Sequence, residues 1–258
     1  MIDLSVIIVT YNSRRHIGRC IDSVLSSNVY AGKEIIVVDN SSTDGSAEIA
    51  MKYVPKVKLL KNKVNLGFAK ANNIGINASR GKYLLFLNPD TSVERNSLNK
   101  LLNFISKEDN VGIVGPKLVN PDGSLQHSCR RFYSIRTILM RRTVLGTIFS
   151  NSEHLSNHLM LDYDHKDIQE VDWMIGACLM IPRGTIESLG GFDERYYLYF
   201  EDVDICYRAK EAGYRVLYYP EATVMHHHKR ESAKRFNKTT YFHISSAVKY
   251  FQRHGWAI

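Results

Sequence analysis

The chain has 258 residues, 44% of them hydrophobic and 23% charged, with 16 Gly and 6 Pro, which excludes a disordered, fibrous or low-complexity protein and suits one large α/β domain. Lys and Arg outnumber Asp and Glu by 34 to 26, a formal charge of +8 that fits either an anionic partner (a nucleoside diphosphate, lipid phosphate, acidic membrane face or nucleic acid) or a generic solvated surface. No apolar run approaches the roughly 20 residues that cross a bilayer, the N-terminus lacks signal-peptide features, and Cys20, Cys129, Cys178 and Cys206 form no C-x-x-C pair, so a cytoplasmic chain without disulfides or a thiolate zinc site is expected.

The first half alternates between two periodicities. Residues 4–10 form a continuous apolar run, read as a buried parallel strand. Ser13 is placed to cap a helix in which Ile17, Cys20, Ile21, Val24 and Leu25 recur at helical spacing. Residues 34–38 read as a second strand, closed by the polar run Asp39 to Gly45, with a helix over 47–51. A strand over 57–60, a helix over 68–78, a strand over 83–87, a helix over 98–105 and a strand over 111–114 follow. This rhythm predicts right-handed crossovers and a parallel sheet covered by helices on both faces. The second half is less regular. It has a turn at Pro121-Asp122-Gly123, a strand-like stretch over 170–181 around Gly176-Ala177, and a helix over 202–212 closed by Gly213. Short strands over 216–219 and 223–225 and a helix over 241–253 complete it, with no repeat and no dividing linker.

Ligands of such sheets bind outside the carboxyl ends of the strands. The residues there are Thr10-Tyr11-Asn12, Asp39-Asn40-Ser41, Asn65-Leu66-Gly67 and Asn88-Pro89-Asp90. Any one of these is an ordinary turn; four at equivalent strand ends point to a site. G-x-G-x-x-G, the P-loop and G-x-S-x-G are all absent, which argues against a dinucleotide grip, an NTPase and an esterase. A divalent cation is then the obvious way to hold an anionic ligand. Asp90, with the neutral amide of Asn88 before it, suits Mg²⁺ or Mn²⁺ bridged to a diphosphate. The run His226-His227-His228 offers a second ligand, and in an extended chain His226 and His228 face the same way. Glu201, Asp202 and Asp204 open a helix beside the aromatic stretch 196–200. Capping and the helix dipole account for part of that charge, and a carboxylate in an aromatic-walled pocket is also placed to deprotonate a sugar hydroxyl.

Taken in order, VIIVTYN, VVDNSSTDGS, NLGFAKANN, LLFLNPDT, GACLMIPR and GGFDERYYLYFEDVDICYR resemble the family 2 inverting glycosyltransferases, above all the bacterial rhamnosyltransferase-like branch that builds cell-surface polysaccharides. The resemblance runs from about residue 4 to about residue 232. It implies an α/β GT-A fold in one continuous domain. Residues 1–120 would be a Rossmann-like, mainly parallel nucleotide-sugar-binding half, and 121–258 a mixed acceptor-binding and catalytic half. By the same resemblance Thr10, Tyr11, Asn12 and Asp39 hold the nucleobase and ribose, while Asp44, Asn65, Gly67, Phe68 and Asn72 line the nucleotide pocket. The family's D-x-D becomes Asn88-Pro89-Asp90, with Asp90 as the metal ligand and a departure at the first position. Its E-D pair is Glu201-Asp202, with Asp202 as base and Glu201 as alternative base or acceptor-binding group. Trp173, Gly176 and Ala177 form the acceptor wall, and His226, or else His228, completes the metal site.

The implied donor is dTDP-rhamnose, with UDP-hexoses next, and the implied acceptor a saccharide or a lipid-linked one at the inner face of the membrane. A basic stretch over 129–149, with Arg130, Arg131, Arg136, Arg141 and Arg142 and no acid, suits either an anionic membrane or a helix packed on the core or on a second copy. Lys229, Arg230, Lys234, Arg235 and Lys238 form a second basic run, placed to close over the donor diphosphate. A sugar nucleotidyltransferase would want a Gly-rich basic loop after the first strand, where Tyr11-Asn12-Ser13 stands. A non-catalytic carbohydrate or nucleic-acid binder needs no metal carboxylate opposite a base, and no nucleic-acid partner is expected.

Overall fold

Each apolar run of the first half becomes a strand, buried on both faces except in the edge strand, as a sheet between two helical layers requires. In the computed structural model, which describes residues 2–29, 32–142, 153–227 and 238–256, these are β1 (Ile2–Thr10), β2 (Gly32–Asp39), β3 (Lys58–Lys61) and β4 (Tyr83–Leu87). Between them run α1 (Ile17–Ser26), α2 (Ser46–Met51) and α3 (Phe68–Ala78). β1 pairs in parallel with β2 and β4, and β2 with β3. The register sets Thr10 beside Asp39, so two of the polar strand ends leave the sheet together.

The chain continues through β5 (Thr91–Val93), α4 (Ser97–Ile105), β6 (Val111–Val119), β7 (Leu125–Gln126) and β8 (Cys129–Arg130). Next come α5 (Ile135–Arg142), α6 (Glu153–His158), β9 (Gln169–Glu170), β10 (Trp173–Met174) and β11 (Cys178–Pro182). The last elements are α7 (Arg183–Ser188), α8 (Glu201–Glu211), β12 (Arg215–His226) and α9 (Lys238–His254). The main sheet runs β3-β2-β1-β4-β11-β6-β12-β5, with β7 on β6 and β9 on β12.

Three expectations need correction. The stretch 170–181 is not one strand: β9 pairs with β12, β10 with β8, and β11 with β4 and β6. The breaks fall at Asp172 and at Ile175–Ala177, where the Ile175 amide turns to the Ser128 carbonyl. β11 itself is antiparallel and lies between β4 and β6, the mixed sheet expected of the second half. Conversely, the two short strands after residue 215 are one, β12, whose register shifts between Tyr219 and Thr223; Pro220 sits in that irregularity, where a strand tolerates a missing N–H. Finally, Ser13 does not cap α1. Its carbonyl accepts from the His16 and Ile17 amides, and its own N–H donates to Ser46 Oγ, so a tight turn precedes the helix.

The pleat divides the core. Val6 and Ile8 pack with Ile17, Ile21, Val24, Leu98 and Leu101 on one side, whereas Ile7 packs with Leu84, Phe86, Leu179, Phe192 and Tyr196 on the other. Asn73 of α3 ties the halves together: its Nδ2 donates to the Phe192 carbonyl (2.8 Å) and its Oδ1 accepts from the Phe192 amide (2.9 Å).

Candidate active site

At the ends of β1 and β2 the organiser is Asn40. Its amide donates to Asn65 Oδ1 (2.8 Å) and the Gly67 carbonyl (3.2 Å), and its Oδ1 accepts from Asn62 Nδ2 (3.1 Å) and the Leu66 amide (3.0 Å). Asn65 Oδ1 also accepts from the Gly67 amide. One buried side chain thus shapes the whole 62–67 loop. Gly67 has φ +84°, and a Cβ there would lie 2.6 Å from the Tyr197 carbonyl oxygen, so this contact to the second half demands glycine. Beside the loop, Thr10 Oγ1 and Asp39 Oδ1 are buried with no hydrogen-bond partner among the described residues. Buried polar atoms are rarely left so unless a ligand or water completes them. Tyr11 is 50% exposed and presents its ring at the same edge. Asn12 Oδ1 accepts from the Thr43 amide, and Asp44 receives the Arg14 amide and the Ser46 amide and hydroxyl. Arg14, Ser42, Thr43, Asp44 and Glu48 line an open polar hollow. Phe68 is half-buried against Val9 and Val38. Asn72 is 1% exposed and donates to the Phe68 carbonyl; it stands behind the pocket rather than in its wall.

At the next strand end, β12 pairs with β5 and sets His226 opposite Thr91, while the His227 amide donates to the Asp90 carbonyl (2.8 Å). His226 Nε2 consequently lies 3.5 Å from Asp90 Oδ1. Burial pushes the Asp90 carboxyl upward, but the His226 ring beside it, in its protonated form, holds it below its ordinary value. An imidazole nitrogen and a carboxylate oxygen that converge at this separation can share one divalent cation at about 2.0–2.2 Å from each, the carboxylate being the donor that suits Mg²⁺ or Mn²⁺. The pair is a partial donor set: among the described residues no group of three or more His, Cys, Asp and Glu comes together to hold a metal ion. His16 has a buried Nδ1 with no hydrogen-bond partner among the described residues, and its ring lies 5.3 Å from that of His227. His227 Nε2 lies 3.2 Å from Arg19 Nη1; burial, then Arg19, lowers the His227 pKa and leaves that nitrogen an acceptor. His228 lies outside the described residues, as do Lys229, Arg230, Lys234 and Arg235.

The E-D pair opens α8 directly after two strained residues. Tyr199 and Phe200 have φ of 66° and 70°, a left-handed conformation that costs a side-chain-bearing residue about 1–3 kcal/mol. Packing holds them there: Phe200 lies against Tyr133 and Tyr250, and Tyr199 against His243. Asp202 does not cap the helix. Its Oδ2 accepts from the Gly176 amide (2.9 Å) and its Oδ1 from the Val203 amide (2.9 Å). Burial raises its pKa, and those N–H donors and the Arg130 guanidinium oppose the rise only in part. Glu201 is 7% exposed, and its Oε2 has no hydrogen-bond partner among the described residues. Burial, then the neighbouring Asp202 and Asp204 carboxylates, drives its pKa well above the ordinary carboxyl range.

Two consecutive residues join these parts. The Ala177 carbonyl accepts from the Asn88 amide (2.9 Å), and the preceding Gly176 amide grips Asp202. Neighbouring Cα atoms are about 3.8 Å apart, so the Asn88-Pro89-Asp90 turn and the E-D pair flank one short piece of backbone. Trp173, expected in the acceptor wall, is 5% exposed, donates its indole N–H to the Arg131 carbonyl and stacks on Tyr133; it is core that supports the wall. The apolar face of α5 packs inward through Ile135 and Ile138, which favours the core-packed reading of that basic stretch; residues 143–149 lie outside the described residues. Sequence marks Asn40 only as one of the strand-end residues and Arg130 only as part of a basic stretch, and it gives Gln126 no mark at all, since each matters for what it touches.

The geometry agrees with what the chain is similar to. The family model for glycosyl transferase family 2 matches residues 5–162. The N-acetylglucosaminyl-diphospho-decaprenol L-rhamnosyltransferase of Mycobacterium tuberculosis is 33% identical over 236 residues, covering 87% of this chain and 76% of that protein. The rhamnosyltransferase WbbL of Escherichia coli K12 is 23% identical over 255 residues, covering 96% and 92% of the two. Among solved structures, GalNAc-T7 with UDP, GalNAc and Mn²⁺ has a TM-score of 0.72 at 19% identity over 98% of this chain and 48% of that one. The present chain thus spans about half of that neighbour's length, and the likeness speaks to fold. Staphylococcus aureus TarS 1–349 with UDP has a TM-score of 0.59 at 19% identity, covering 87% of this chain and 60% of that one. With the family model matched over residues 5–162 and a relative 33% identical over 87% of the chain, the chain belongs to glycosyl transferase family 2 and has the GT-A fold.

Proposed function

We propose that the chain transfers a sugar, with inversion at the anomeric carbon, from a nucleotide-sugar to a saccharide or lipid-linked acceptor in the synthesis of a bacterial cell-surface polysaccharide. The observation that carries this reading is the Gly176–Ala177 backbone, which binds the carboxylate Asp202 on one side and the Asn88-Pro89-Asp90 turn on the other. A base and a diphosphate site must flank the same anomeric carbon, and this is the arrangement that allows it.

The buried oxygens of Thr10 and Asp39 receive the nucleobase and ribose, and Tyr11 covers the base. Asp44 and the Asn65–Phe68 loop bound the pocket, residues 1–120 serving the donor and 121–258 the acceptor. Asp90 and His226 would hold Mg²⁺ or Mn²⁺, which when bound supplies positive charge to the departing diphosphate. Asp202, held in place by two backbone N–H groups, takes the proton of the acceptor hydroxyl as that oxygen attacks opposite the leaving group. Glu201, buried beside Asp202, is left to contact the acceptor. The names of the rhamnosyltransferase relatives support dTDP-rhamnose as donor; the solved neighbours with UDP support a UDP-hexose as the second reading. The decaprenol in the mycobacterial relative's name and the charge of +8 support work on a lipid-linked acceptor at the inner membrane face. Among the described residues no helix is long and apolar enough to cross a membrane.

Asp202→Asn keeps the shape and removes the base. Release of nucleoside diphosphate in the presence of acceptor should fall about 10²–10⁴-fold, with donor affinity by calorimetry little changed. Undiminished turnover would remove Asp202 from this role.

A further inference from the structure

We propose that Gln126 is a positioning residue that fixes the tautomer of His226 and aims the Nε2 lone pair at Asp90. The proposal rests on the reading of His226 as a metal ligand only for its purpose; the tautomer itself follows from hydrogen bonding. Gln126 lies on β7, opposite Leu118 of β6, and clamps His226 twice. Its Nε2 donates to the His226 backbone carbonyl (2.8 Å), and its Oε1 lies 3.0 Å from His226 Nδ1.

The direction of these bonds is decided by a group that cannot turn over. A backbone carbonyl only accepts, so the end of Gln126 facing it must be the NH₂. The same NH₂ reaches Asn120 Oδ1 (2.7 Å), and Asn120 Nδ2 in turn donates to Ser124 Oγ (2.8 Å), whose hydroxyl donates to Asp122 Oδ1 (2.6 Å). Exchanging oxygen and nitrogen in the Gln126 amide would set oxygen against oxygen at the His226 carbonyl. The Gln126 oxygen therefore faces His226 Nδ1, and that nitrogen must carry the proton. In the neutral ring Nε2 is then a bare acceptor. It stands 3.5 Å from Asp90 Oδ1, beyond the usual length of a direct N–H···O bond (about 2.7–3.2 Å) and consistent with two acceptors that share a cation. A turn on the surface, from Asn120 to Ser124, thus sets the state of a buried imidazole two strands away. Partners of this kind, behind a ligating histidine, orient the ring and raise its basicity.

A long-range ¹H–¹⁵N spectrum of the metal-free, full-length protein at alkaline pH reads which ring nitrogen is protonated, and loss of the signal in His226→Gln identifies it. The wild type should show a protonated Nδ1 and a bare Nε2. Gln126→Met should move the proton toward Nε2 and weaken Mn²⁺ binding, read by electron paramagnetic resonance, about 10–100-fold. Gln126→Glu keeps an acceptor at Nδ1 and should retain the wild-type tautomer. A protonated Nε2 in the wild type, or an unchanged tautomer in Gln126→Met, overturns the proposal; the wild-type spectrum decides even if the Met variant does not fold. Mn²⁺ that fails to bind a wild type with protonated Nδ1 would remove the metal from the proposed function and leave the role of Gln126 standing.

Discussion

Glu201 and Asp202 are adjacent carboxylates that the fold treats differently. Burial raises both, but Asp202 receives two backbone N–H groups, whereas Glu201 Oε2 receives none from the described residues. A base works as its anion. With the Asp202 pKa raised above the ordinary 3.8, transfer should be lost as pH falls through a midpoint above that value, and a kcat profile that stays flat down to pH 3.8 would contradict the assignment. For Glu201 the sign is opposite to that of a stabilising carboxylate. Its pKa is raised above the ordinary 4.5, so the unfolded chain ionises first and native stability is drained as pH rises past about that value. Glu201→Gln should therefore raise the Tm at pH 8 while leaving it nearly unchanged at pH 4, which thermal denaturation at the two pH values will show. Neither behaviour is legible in the letters Glu-Asp. Thr10 and Asp39, by contrast, could be placed from sequence, because a polar residue that ends an apolar strand has one geometric meaning.

At the scale of elements, the loops that hold the site are shaped by backbone. Gly67 has φ +84°, and its Cα faces the Tyr197 carbonyl at a range that excludes a methyl group. Gly67→Ala adds both conformational strain and overlap, and should cost about 2–4 kcal/mol in urea denaturation, with donor binding weakened because the Asn40–Asn65 loop shifts. The sequence placed Gly67 at a strand end but could not show that its neighbour is Tyr197, from the other half of the chain. The stretch 170–181 illustrates the opposite limit. Its residues are apolar enough for one strand, but three different neighbours claim successive pieces of it, and hydrophobicity carries no record of which partner a strand will meet.

On the scale of the whole molecule, the C-terminal helix braces the segment that leads into α8. Asp204, fully buried, accepts from Arg208 Nε (2.7 Å) and lies 2.8 Å from His254 Nε2, with Arg253 Nη1 at 3.4 Å. Arg253 also pairs with Asp193, Ser246 Oγ donates to the Leu198 carbonyl and Lys249 Nζ to the Arg195 carbonyl. α9 is thereby pinned over the strained Tyr199–Phe200 turn that aims Asp202. Asp204→Ala leaves the Arg208 guanidinium buried without its carboxylate and should destabilise the fold by about 3–5 kcal/mol. Because the turn loses its clamp, kcat should also fall more than KM rises, a split that steady-state kinetics below the Tm can measure. By itself the sequence determined the class of the fold, nearly all elements of the first half and the polar strand ends, because these follow from periodicity and turn chemistry within a few residues. Only the tertiary structure decided that β11 enters the sheet in reverse between β4 and β6, that Trp173 is core, and that Asp90 meets His226 while Asp202 meets Gly176. Those contacts join segments far apart along the chain. They depend on strand order and register, which many arrangements of the same local elements satisfy equally and which packing alone selects.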